Sequence, residues 1–170
     1  MSVLAIRNIG ILVSGDIHNP KLDADTIIVK DGLIEAIGHA DLLGKYTLDE
    51  VIDANGTTLI PGIVDTHVHP VIGDFTPRQN MMDFMESSVH GGITTFISAG
   101  EPHTPGRPKD PVGTKALAIL GKKSSENFRP GGAKLHGGSL ILEKGLTEKD
   151  FVELGQAGVD IVGEVGLGSI

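Results

Sequence analysis

With 170 residues, 14 Lys and Arg against 22 Asp and Glu, a net charge of −8 and no cysteine, the chain excludes disulfides and thiolate metal sites. Hydrophobic residues at 39% and charged ones at 21% are globular proportions, and the acidic balance without any basic block argues against nucleic acid as a partner. The opening MSVLAIRNIG has no charged stretch leading a long apolar run, and no run reaches the about 18 apolar residues of a membrane span, so no membrane partner and a cytoplasmic location are expected.

In chain order, residues 4–9 read as a first strand. Residues 26–29 and 33–37, joined through Lys30-Asp31-Gly32, read as a hairpin whose Asp-Gly supplies the positive φ of a tight turn. Residues 51–54, Asn55-Gly56 and 57–60 repeat that grammar and predict a second hairpin, with one helical turn over 41–46 between them. Residues 1–58 are thus expected to form a small all-β unit.

From Pro61-Gly62 onward strands and helices alternate over 59–170. Strands are expected to begin near Leu59, Thr94, Ala133 and Asp160. Met81, Met82, Phe84, Met85 and Val89 recur at helical spacing, and His90-Gly91-Gly92 supplies the cap. A second helix is predicted over 114–120; a third opens on the capping box Thr147 to Asp150 and stops at Gly158. Repeated βα units imply a parallel sheet, either a barrel or a doubly wound sheet.

The stretch IPGIVDTHVHP, residues 60–70, discriminates between the two. In a strand, His67 and His69 share one face and Val68 takes the other, so two imidazoles stand side by side as ligands for a divalent metal. The turn after Val68 lacks the Gly-rich pattern of a dinucleotide site. A barrel gathers its chemistry at the carboxyl ends of its strands, where both histidines and Glu164 of the fourth strand fall. A carboxylate in an apolar strand is costly unless paired or metal-bound. By contrast, His90 reads as a cation at a helix C-terminus, and His18 and His39 as solvated.

NGTTLIPGIVDTHVH, residues 55–69, resembles the amidohydrolase superfamily. So do PRQ (77–79), HGG (90–92), ISAG (97–100), PGRPKD (105–110), GTKALAI (113–119), LILEKGLT (140–147) and GEVGLG (163–168), which narrow the resemblance to its members that open a lactam ring. The resemblance implies α/β architecture: the N-terminal part of a (β/α)8 TIM-like metal-dependent hydrolase barrel, about four βα units, preceded by a small β-sandwich domain. It implies two divalent metals, zinc and iron, with His67 and His69 on one and Glu164 bridging both. The activity implied is hydrolysis of a cyclic amide bearing a carboxylate, 6-oxo-1,4,5,6-tetrahydronicotinate giving 2-formylglutarate and ammonia, by a homotetramer. Arg78 and Arg107, with Lys109, are candidates for the substrate carboxylate; His103 and His136 are candidates at the barrel mouth. The family's two further histidines and general-base aspartate are expected beyond residue 170, so the chain reads as the N-terminal piece of a longer enzyme. Alternatives are another ring amidohydrolase, of the dihydropyrimidinase or imidazolonepropionase type, or an inactive truncated piece.

Overall fold

The computed structural model describes residues 2–70, 81–102, 104 and 106–165. Two compact units divide the chain, Met1–Pro61 and Gly62–Ile170.

In the first unit, β1 (Val3–Arg7), β4 (Thr26–Lys30), β5 (Leu33–Gly38) and β6 (Glu50–Asp53) form a sheet of order β5-β4-β1-β6. A second sheet, β3-β2-β7, is built from β2 (Ile11–Val13), β3 (Lys21–Leu22) and β7 (Thr58–Leu59). Ile27 of the first sheet meets Leu12 of the second and Ile9 between them in a common core, with Leu22 and Leu59 at its border. The predicted β4–β5 hairpin is present: Lys30 pairs with Leu33, and the two turn residues Asp31 and Gly32 have φ of 50° and 81°. That mirror-image turn matches the right-handed strand twist. The helical turn is a 3-10 segment, Ala40–Lys45.

The second predicted hairpin is not. β6 runs parallel to β1 and β7 parallel to β2, so Asn55-Gly56 carries the chain from one sheet to the other. The reason lies in the first strand, which ends at Arg7 because Asn8 turns with φ 55°. The two crossings run side by side, tied by Ala54 N–H to Arg7 O at 2.8 Å, Gly56 N–H to Asn8 O at 2.7 Å and Gly10 N–H to Thr57 O at 2.9 Å. A Cβ on Gly10 would lie 2.1 Å from the Gly56 carbonyl oxygen, so the close approach requires glycine there. A turn dipeptide specifies positive φ, which suits a crossover as well as a hairpin.

The second unit alternates β8 (Ile63–Val68), α1 (Met81–His90), β9 (Ile93–Ser98), α2 (Pro111–Ser125), β10 (Lys134–His136), β11 (Leu140–Leu142), α3 (Glu148–Gln156) and β12 (Val162–Val165). Leu59, expected to open the first parallel strand, belongs instead to β7, and β8 starts at Ile63. All pairings in this unit are parallel, in a sheet of order β10-β9-β8 and a pair β11-β12. The expected third strand is therefore split. β10 pairs with β9 and β11 with β12, and Gly137, Gly138 and Ser139 bend the chain between them. Gly138 has φ 80°, and a Cβ there would sit 2.2 Å from Ala118 O, so α2 packs directly on the backbone of the bend.

The helices follow their caps. Asp110 accepts from the Val112 and Gly113 amides with Pro111 at the first helical position, which begins α2 earlier than apolar spacing predicts. The Thr147 and Asp150 capping box is formed, and Gly158 ends that turn with φ 87°. Val68, Met85, Phe96 and Leu135 are buried together, fixing the helix-covered face of β8-β9-β10.

Candidate metal centre

Because Val68 is buried on the helix side, period-two alternation turns His67 and His69 to the opposite face. The Asp65 Oδ1 accepts the His67 backbone N–H at 3.0 Å, and the β8–β9 register shifts between Asp65 and Val68. A carboxylate thus replaces ladder pairing just before the first histidine, a role of Asp65 that motif matching did not supply. On β12, a Cβ at Gly163 would fall 1.6 Å from Ala99 O, so glycine lets this strand approach the end of β9 and bring Glu164 to the same place.

His67 Nε2 and His69 Nε2 are 3.2 Å apart, and Glu164 Oε1 lies 3.3 Å from the first and 3.4 Å from the second. For bonds of about 2.1 Å, ligand atoms around one ion are separated by about 3.0 Å in octahedral and about 3.4 Å in tetrahedral geometry. The triangle fits one metal ion without rearrangement, and its nitrogen and oxygen donors suit zinc, iron, nickel or manganese. The three side chains are 64%, 25% and 38% exposed, so the open side of the triangle faces solvent. Among the described residues, these three make the group of His, Asp and Glu able to hold an ion.

The remaining candidates are placed differently. His136 pairs in register with Ile97 and alternates with the buried Leu135, so it shares the face of His67 and His69. Burial, then the nearby Lys134 and Lys122, push its imidazole below the usual value, favouring the neutral ring. Arg78 and His103 lie outside the described residues. Arg107 is committed within the protein: Nη1 donates to Glu143 at 2.7 Å, and Nε and Nη2 donate to Glu101 at 3.2 and 3.0 Å. Burial pushes the Glu101 carboxyl up, against the Ile141 N–H and Arg107, which stabilise its charge. Sequence reasoning missed Glu101 and Glu143. The available signal was the one that marked Glu164, a carboxylate at the carboxyl end of an apolar strand.

A parallel strand-helix array with a His-x-His pair and a glutamate converging at its strand ends is the arrangement of the N-terminal part of a TIM-type barrel, and the chain is similar along its whole length to that part of amidohydrolase superfamily members. It is 61% identical to the enamidase of Eubacterium barkeri over 170 residues, which is 100% of this chain and 44% of that relative. The crystal structure of enamidase, described as a new member of the superfamily, matches with a TM-score of 0.91 at 60% identity over 99% of this chain and 44% of that one. L-hydantoinase (dihydropyrimidinase) from Arthrobacter aurescens matches with a TM-score of 0.62 at 25% identity, over 92% of this chain and 31% of that one. The chain thus spans less than half the length of these relatives. No protein-family model matches it. Among the described residues, no helix is long and apolar enough to cross a membrane.

Proposed function

We propose that the full-length protein hydrolyses the C–N bond of a cyclic amide bearing a carboxylate, 6-oxo-1,4,5,6-tetrahydronicotinate, to 2-formylglutarate and ammonia, as in nicotinate degradation. The observation that carries this reading is the donor triangle of His67, His69 and Glu164 in a chain 61% identical to enamidase. The small β unit and the first half of the barrel, divided near residue 58, would be the two parts of that enzyme present here. By the same kinship we assign zinc and iron as the metals, a homotetramer as the assembly and the cytoplasm as the location.

In this reading the two imidazoles bind through Nε2 in their neutral form, and the Asp65 bracket holds the His67 backbone while buried Val68 anchors the strand between them. Glu164 has a second carboxylate oxygen with which to bridge two ions. When bound, the metals polarise the amide carbonyl and acidify a water. The neutral His136 ring offers a hydrogen bond to substrate on the same face. Arg78 is the proposed carboxylate contact and His103 the proposed mouth contact, and a general-base aspartate would come from the rest of the full-length protein.

The test is metal analysis and ammonia release with the full-length protein. Two ions per chain, lost in His67→Ala and reduced in Glu164→Gln, with ammonia from the tetrahydronicotinate lactam but not from dihydrouracil, are expected. The opposite substrate preference would sink the lactam assignment in favour of a dihydropyrimidinase-type activity, which the L-hydantoinase match supports as second reading.

A further inference from the structure

The buried cluster around Arg107 carries an inference about how the substrate end of the barrel is held. Glu101 follows β9, Glu143 follows β11, and Arg107 lies on the connection from β9 to the N-cap of α2. All three sit at the carboxyl ends of parallel strands, the end that carries His69 and Glu164. The Glu101 and Glu143 side chains are 0% and 3% exposed, and that of Arg107 is 19% exposed. The other oxygen of Glu101, Oε1, accepts the Ile141 backbone N–H at 2.8 Å, so the carboxylate ties to β11 directly as well as through Arg107. Gly100 allows this contact, since a Cβ there would lie 2.7 Å from Ile141. One guanidinium is thus shared by two buried carboxylates 42 residues apart, 101 and 143.

The geometry points to Arg107 as a positioning residue that locks the β9–α2 connection to the end of β11, and not as a ligand of the substrate carboxylate. Three of the five guanidinium N–H groups are already taken by buried glutamates, so a substrate carboxylate could use only the remaining two, and it would then stand beside the Glu101 and Glu143 carboxylates. Arg107 acts on substrate through the connection it holds. The role of that connection in binding rests on the lactam hydrolase reading; the lock itself does not.

The experiment compares wild type and Arg107→Gln in the full-length protein, with the carboxylate lactam and its uncharged carboxamide analogue as paired substrates. A positioning role raises KM by about tenfold for both substrates alike, with kcat changed much less. It also speeds hydrogen exchange at the Ile141 amide. Glu143→Gln, which keeps an acceptor for Arg107 and removes one carboxylate charge, is expected to fold and to show a smaller KM change than Arg107→Gln. A KM increase confined to the carboxylate substrate would overturn the assignment by making Arg107 a direct ligand. A lowered Tm with both KM values unchanged would overturn it by reducing the cluster to a structural one. Should wild type hydrolyse neither lactam, the functional reading fails, and Ile141 exchange decides the lock by itself: unaltered exchange in Arg107→Gln refutes it.

Discussion

The two units use charge in opposite ways. In the first, Arg7–Asp53 at 3.1 Å and Lys45–Asp41 at 2.7 Å stand largely in solvent, and the strands are ordered by turn geometry, cross-strand hydrogen bonds and an apolar core. In the second, Arg107 is drawn between two buried carboxylates, and Lys115 of α2 reaches Asp150 and Glu153 of α3 across a helix-helix contact. Exposed pairs contribute little because water and salt compete with them, whereas a buried pair cannot lose one partner without stranding the other. The first unit is thus expected to tolerate charge removal but not a change in its close backbone contacts; the second is expected to be sensitive to both, since Gly138 and Gly163 make backbone approaches of the same kind.

Arg107→Met is expected to have the largest effect, destabilising the full-length protein by about 3 to 5 kcal/mol in urea unfolding, because two buried carboxylates then lose the guanidinium they share. A loss comparable to that of a surface substitution would break the contrast. In the first unit, Gly10→Ala should cost about 2 kcal/mol or more, since the added methyl meets the Gly56 carbonyl oxygen 2.1 Å away. Next comes Thr147→Ala, which removes half of a capping box and should cost about 1 kcal/mol by the same measurement. Arg7→Ala should leave the urea midpoint unchanged within error.

Acid sharpens the comparison further. The Lys115 hydrogen bond, then those of Thr147, hold the Asp150 carboxyl well below the usual carboxylate range. A depressed carboxyl contributes stability above its unfolded value of about 4 and loses it as pH falls through the folded value. The α2–α3 contact should weaken below about pH 4, and Asp150→Asn should flatten that part of a Tm-against-pH curve. An identical acid limb in wild type and Asp150→Asn would remove Asp150 from the account.

What could be read in the sequence follows the range of each interaction. Period-two alternation put His67 and His69 on one face, and local caps marked the helix starts and stops around Thr147, Gly92 and Gly158. Glu164 was legible because a lone carboxylate in an apolar strand needs a partner. Asn55-Gly56 misled because its meaning depends on the distant Asn8 kink beside it, and the split of the third strand depends on α2 lying against Gly138. Arg107 read as a free cation for substrate because its second partner, Glu143, is 36 positions away.

The side-by-side crossings also bear on the order in which the first unit assembles. The β4–β5 hairpin closes through a two-residue turn, a microsecond event, whereas β6 reaches β1 only after the whole intervening chain has been gathered, as in the Asp49 carboxylate meeting the Val3 amide 46 residues away. Loop closure precedes any ladder bond that rewards it. Amides of β4 should gain protection before those of β6 in pulse-labelled refolding, and simultaneous protection would mean that the sheet condenses in one step. The seam between Arg7–Gly10 and Asp53–Thr57, the tightest backbone contact of the unit, is on this account the last to zip shut and the first to fray.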